Sequence, residues 1–125
     1  AASDVYKRQT IDYLDFNKNH IGGIILPSKE LIDSVFFEML DFDFSNEELT
    51  EGIFSSNTRS SIENGSTISA YYSINNILDK MIEGRNVTPE IYLTGGNSKS
   101  VLDNCNYPII HVESLLFEGI LVFEA

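Results

Sequence analysis

An α/β fold built on a mixed sheet follows from three observations. Two short strand patterns joined by a polar turn lie at 10–27. Helical and strand patterns alternate after them. The chain has 125 residues, 42% of them hydrophobic, which is enough for one domain with a core. A hairpin followed by alternating helices and strands calls for a sheet with both parallel and antiparallel pairs and helices flanking it.

The elements can be justified in order. TIDYLDF (10–16) alternates as a half-buried strand does, with Ile11 and Tyr13 on one side and Asp12, Leu14 and Phe16 on the other. It reads like the tail of a strand whose beginning was lost. NKNH (17–20) is a turn signal, and IGGIILP (21–27) is a second strand closed by Pro27, which brings no N–H to a ladder. Ser28 is an N-cap for SKELIDSVFFEML, where Leu31, Ile32, Val35, Phe36 and Met39 recur at helical spacing. DFDFSNEE (41–48) is a loop. The longest helix is predicted over 55–84. Tyr71, Ile74, Leu78, Met81 and Ile82 make its apolar stripe, and Ser61, Gly65, Ser69, Tyr72 and Asn76 a second, small or polar stripe. Gly84 is its stop. Glycine inside a helix costs ~1 kcal/mol against alanine, so Gly65 implies close backbone packing. EIYLT (90–94) is the next strand, NSKSVLDN a short helix, YPIIHV (107–112) another strand, and ESLLFEGILVFEA (113–125) a terminal helix.

Net charge is −11, from 8 basic and 19 acidic residues, with no Lys/Arg cluster to track a phosphate backbone or an anionic bilayer. Neither nucleic acid nor membrane is an expected partner. Cys105 stands alone, so it forms no internal disulfide and lacks the spaced partners of a zinc site. No apolar run approaches the ~20 residues of a membrane span. A reducing, cytoplasmic setting is expected. The first nine residues, AASDVYKRQ, differ in character from the rest. DVYKRQ resembles the translation of a transposon end used in preparing sequencing libraries, so residues 1–9 are set aside as non-native and 10–125 taken as the domain, the alternative being a genuine basic β-strand.

Three stretches could carry chemistry. In IYLTGG (91–96) a strand runs into Thr94, Gly95 and Gly96. Ligands of α/β sheets gather at the carboxyl ends of strands, and bare backbone lets a nucleotide lie close. A tight β-α turn explains the same residues equally well. Gly22 and Gly23 imply a bulge or a close neighbour. NTR (57–59) heads the long helix, where free N–H groups suit a carboxylate or phosphate; Thr58 is either the cap or a ligand contact. There is no Walker loop, no GxSxG elbow and no histidine pair at metal-ligand spacing. Nothing in the spacing selects one aspartate as a catalytic group.

The order of the motifs says more than any one of them. TIDYLDFNKNHIGGIILPSKELIDSVF, SSNTRSSIENG, IYLTGGNSKSVL and HVESLLFEGIL together resemble the second half of a type III pantothenate kinase, over essentially all of 10–125. That resemblance implies a ribonuclease-H-like domain of the actin-like ATPase superfamily, truncated at its N-terminus, and an enzyme that phosphorylates pantothenate with ATP in the first step toward coenzyme A. It implies Thr94, Gly95 and Gly96 lining the adenosine pocket, Gly22 and Gly23 beside the phosphates, and Thr58 on pantothenate. It also implies Mg²⁺, a monovalent cation (K⁺ or NH₄⁺) and a homodimer using the long helix.

The departures from the family are specific. Its D-x-G-N-T motif and its G-x-D segment, which bears the general base, are absent. Its D-x-G-T-A motif, with the cation-binding Asp, belongs just before Thr10, where Tyr6 and Lys7 stand in the Gly and Thr places; the spacing of Asp4 is coincidence. Pro27-Ser28 replaces the usual Pro-Gly. The chain alone is therefore expected to have no kinase activity and to contribute neither a catalytic base nor a metal ligand. Two other readings stay open: another actin-like kinase or transferase, and a non-enzymatic acidic interaction domain whose glycines are only turns.

Overall fold

The computed structural model describes residues 8–41, 43–95, 98–113 and 119–124, with backbone alone at 98 and 99. In chain order the elements are β1 (Arg8–Leu14), β2 (His20–Pro27), α1 (Lys29–Leu40), α2 (Thr58–Thr67), a π turn (Ile68–Tyr72), α3 (Ser73–Ile82), β3 (Pro89–Thr94), α4 (Ser98–Asn104), β4 (Ile110–His111) and β5 (Gly119–Glu124). The strands form one five-stranded sheet in the order β2-β1-β5-β3-β4. It is mixed: β1 pairs antiparallel with β2 and parallel with β5, and β3 pairs antiparallel with β5 and parallel with β4.

The hairpin is set by its turn. The Asp15 carboxylate accepts hydrogen bonds from the Asn17 and Asn19 amides at 2.9 Å each, and Lys18 takes a left-handed φ of 67°. Those bonds, led by the one from Asn19, hold the Asp15 carboxyl below the usual carboxylate range. Arg8 and Gln9 extend β1 beyond Thr10, with Arg8 opposite Pro27 and Gln9 opposite Leu26. The buried Gln9 side chain donates from Nε2 to the Ala70 carbonyl in the π turn at 3.4 Å.

Alternation along the strands builds the core. Ile11 and Tyr13 of β1, Ile120 and Val122 of β5, and Ile91 and Leu93 of β3 point to one face. Tyr71, Ile74, Leu78 and Val101 cover them from the helices. The long helix is present over 58–82, but a π turn interrupts it. Its apolar stripe is buried at Tyr71, Ile74 and Leu78. The second stripe faces out: Ser61, Gly65, Ser69, Tyr72 and Asn76 are exposed, and a Cβ at Gly65 would meet no atom within 4 Å. The close packing expected at Gly65 does not occur within this chain. Ser28 caps α1 as expected, its Oγ accepting from the Leu31 amide at 3.1 Å, yet no α1 residue is fully buried.

Two expectations are overturned. The segment 113–125 was expected to be a helix, but 119–124 form β5, in the centre of the sheet. Gly119, Ile120, Val122 and Glu124 are buried, and β5 joins the β1–β2 hairpin to the β3–β4 pair. The apolar pattern fits either element. The two open ladder edges of β1 and β3 decide it, since an unpaired central edge would strand N–H and C=O groups. The strand expected over 107–112 shrinks to Ile110–His111, because only those residues pair with β3.

Candidate functional site

The TGG corner closes β3. Thr94 lies opposite Gly119 and is only 6% exposed. Gly95 has φ 121°, a conformation that disfavours any side chain; Gly96 lies outside the described residues. Sequence reasoning missed a neighbour of this corner. Gly119 sits against Thr10, and a Cβ there would overlap Thr10 Oγ1 and come within 2.6 Å of the Thr10 carbonyl oxygen. The corner is thus made from three strands, β1, β5 and β3, with glycine at two of its turns.

Gly22 and Gly23 lie elsewhere. Gly22 is opposite Tyr13, which pairs with Val122 and so with Ile91, whereas Thr94 stands three residues further along β3. Three strand spacings and three residues of rise separate Gly22 from Thr94 by about 17 Å. Among the described residues, Gly22 and Gly23 are not brought into contact with Thr94 or Gly95. A Cβ on Gly23 would overlap Asp12 Oδ1 and lie 2.7 Å from the Ile11 carbonyl oxygen. The Asp12 carboxylate that covers this glycine is held by His20, Nε2 to Oδ1 at 2.8 Å. A Cβ on Gly22 would meet nothing within 4 Å.

Thr58 opens onto a cleft of about 590 Å³. Ile32 and Phe36 of α1 form one wall. The other is formed by Ser55, Ser56, Asn57 and Thr58 at the head of α2, then Ser61, Ile62, Gly65, Ser66 and Ser69. The lining is apolar on one side and hydroxyl-rich on the other, with no ionisable side chain. The cap is Asn57, not Thr58: Asn57 Oδ1 accepts from the Ser60 amide at 2.8 Å, and Thr58 is the first helical residue. The Arg59 amide donates to Glu47 Oε2 at 2.7 Å. Two of the donors that make a helix start attractive to an anion are therefore already taken by the chain's own side chains. The Thr58 hydroxyl has no hydrogen-bond partner among the described residues. Glu47 had no signal in the sequence, because its contact spans twelve residues of irregular chain.

Polar networks elsewhere are structural. At the far end of the core, the buried Glu124 carboxylate accepts from Tyr13 Oη at 3.0 Å and from Arg85 Nε, and the Arg85 guanidinium lies 4.9 Å from the Tyr13 ring. Burial pushes the Tyr13 phenol above its usual range, and the Glu124 carboxylate adds to this; the same carboxylate raises Arg85. Tyr107 donates to Asp79 and is pushed up to about 12, first by that bond and then by burial. Among the described residues, no three His, Cys, Asp or Glu side chains converge into a metal site, and no helix is long and apolar enough to cross a membrane.

No family model matches the chain. It is 23% identical over 119 residues to a type III pantothenate kinase of Paracidovorax citrulli, an alignment that covers 93% of this chain and 45% of that enzyme. The chain therefore spans less than half the length of this curated relative. Among solved structures, a conserved Baf family protein of Campylobacter jejuni superposes with a TM-score of 0.43 at 15% identity, covering 88% of this chain and 52% of that one.

Proposed function

We propose that the chain is the C-terminal part of a type III pantothenate kinase, an incomplete ribonuclease-H-like domain of the actin-like superfamily. The whole enzyme transfers the γ-phosphate of ATP to pantothenate, giving 4′-phosphopantothenate. The observation that carries the reading is the alignment with the Paracidovorax citrulli kinase along 93% of the chain. The geometry supports it in two places: bare backbone at the carboxyl end of β3, and a cleft at Thr58 with one apolar and one hydroxyl-bearing wall.

In this reading Thr94, Gly95 and Gly96 take the adenosine and the Gly22–Gly23 strand lies toward the phosphates. A nucleotide is long enough to reach both, which is consistent with the distance between them. Thr58 offers its hydroxyl to pantothenate. The ligands of Mg²⁺ and of the K⁺ or NH₄⁺, and the general base, are assigned in this reading to the D-x-G-N-T, G-x-D and D-x-G-T-A motifs, which do not occur in these 125 residues. When bound, the metal ion supplies charge neutralisation for phosphoryl transfer, which depends on positioning more than on covalent chemistry. The chain's own share is to hold nucleotide and substrate. The long helix, 58–82, contributes to a homodimer of the whole enzyme in this reading.

Two experiments test the reading. The source DNA read upstream of the Thr10 codon should carry D-x-G-T-A in frame; an unrelated frame there would remove the truncation. Gly95→Leu in the whole protein should weaken ATP binding at least tenfold. Unchanged affinity would favour the non-enzymatic reading.

A further inference from the structure

The loop between α1 and α2 is strapped over the head of α2. Phe44 is buried, and its ring stands 5.5 Å from that of Phe37 in α1. Beyond it, the Glu48 carbonyl accepts from Asn57 Nδ2 at 2.7 Å and from Ser60 Oγ at 3.0 Å, and the Thr50 amide donates to Ser60 Oγ at 2.9 Å. These bonds set the Glu47 carboxylate on the Arg59 amide at 2.7 Å, and the Arg59 guanidinium folds back onto the Glu47 carbonyl at 3.2 Å. A carboxylate on a free amide is how a helix start holds an anion. Here the chain supplies that carboxylate itself, and Asn57 takes the next amide. The cleft beside this head has Ile32 and Phe36 on one wall. The other carries the exposed hydroxyls of Ser56, Thr58 and Ser69, which have no partner among the described residues. No ionisable side chain lines it. Hydroxyl and methyl groups of a ligand find partners there. A carboxylate finds none, and Glu47 sets a like charge at the amide next to Thr58.

We propose that this cleft recognises the uncharged end of its ligand, and that Glu47 is the residue that keeps a carboxylate from being read there. The inference rests on the pantothenate reading and deepens it. One end of pantothenate carries two hydroxyls and a pair of methyl groups; the other carries a carboxylate. The first end matches the cleft, with its methyls on Ile32 and Phe36 and its hydroxyls on Ser56 and Thr58. It also bears the hydroxyl that receives the phosphate, so gripping this end orients the reacting atom. The carboxylate points out of the cleft. Glu47 sets specificity by occupying the Arg59 amide, without touching the substrate.

The test compares pantothenate with pantothenol, in which an alcohol replaces the carboxylate, on this 125-residue chain. Binding is read from the NMR shifts of the Thr58 and Ser61 amides. The parent should bind the two compounds within about threefold of each other. Glu47→Ala frees the Arg59 amide for a charge-assisted bond, so the Kd of pantothenate should fall about tenfold while that of pantothenol stays unchanged. Glu47→Gln keeps an acceptor on the amide and covers the case in which the alanine variant unfolds. It removes only the like charge, so the gain for pantothenate should be smaller, about threefold. Thr58→Val, which removes the hydroxyl and keeps the shape, should weaken both ligands alike. A parent that binds pantothenate about tenfold tighter than pantothenol would overturn the inference, as would Glu47 variants that leave the ratio of the two where it was. If neither compound moves these amides, the cleft is not the substrate site and the inference falls with it. The kinase reading then stands or falls separately, on ATP turnover by the product of the full source reading frame.

Discussion

Replacing Gly119 by alanine distinguishes a strand from a helix at 119–124 by the sign of the effect. In the sheet, the added Cβ overlaps Thr10 Oγ1 and lies 2.6 Å from the Thr10 carbonyl oxygen. The hydroxyl can rotate away, but the carbonyl belongs to the β1 backbone and cannot move without disturbing two ladders. Overpacking of this kind costs about 1–3 kcal/mol. A φ of 157° adds strain for any residue with a side chain, of order 1 kcal/mol. The sum is about 2–4 kcal/mol, a sizeable part of the roughly 5–15 kcal/mol that holds a domain folded. At about 4 °C per kcal/mol for a chain of this size, the thermal midpoint should fall by about 8–16 °C. Urea denaturation followed by circular dichroism should give the same loss at unchanged slope. In a solvated helix the same substitution would stabilise by about 1 kcal/mol. A Gly119→Ala protein as stable as the parent, or more so, would refute the central placement of β5. Gly65→Ala is the matched control: nothing lies within 4 Å of its Cβ, so a gain of about 0.5–1 kcal/mol is expected.

Other expectations follow from single contacts. Gly23→Ala should cost about 1–2 kcal/mol in the same assay, less than Gly119→Ala, because the Asp12 carboxylate can swing aside although the Ile11 carbonyl cannot. Glu47→Ala removes the acceptor of the Arg59 amide and should lower stability by about 1 kcal/mol; a neutral result would mean that water replaces it fully. Tyr13 and Tyr107 keep their protons in the folded chain at pH values where the unfolded chain loses them, near 10. The unfolded state then binds fewer protons, so their contribution is complete below pH 10 and declines as pH rises toward 12. Urea midpoints across that range, with tyrosinate absorbance as the direct probe, should show the loss; flat stability would contradict it.

The hairpin was legible because alternation at Ile11 and Tyr13 and the turn residues Asn17–Asn19 encode it locally. The long helix was legible from the spacing of Tyr71, Ile74 and Leu78. Its cap was misplaced by one residue, because Asn57 and Thr58 are both good caps and only the geometry at Ser60 chooses. The π turn at Ile68–Tyr72 had no local signature; the buried Gln9 side chain that meets its Ala70 carbonyl comes from sixty-one residues away. For 119–124 the local pattern allowed two answers, and the slot between β1 and β3, a property of the assembled sheet, selected one. The candidate site divides the same way. Glycine at the end of β3 could be read from the chain. The spacing to Gly22, the Asp12 carboxylate over Gly23 and the Glu47 carboxylate at the head of α2 could not, because each joins segments whose proximity exists only in the fold.

The central claim is that this chain is part of a kinase acting on pantothenate. The direct measurement is ADP release on adding pantothenate to ATP and Mg²⁺, made on this chain and on the product of the full source reading frame. The account predicts no release from the chain alone and pantothenate-dependent release from the full product. Turnover by the chain alone, or a full product that ignores pantothenate, would contradict it.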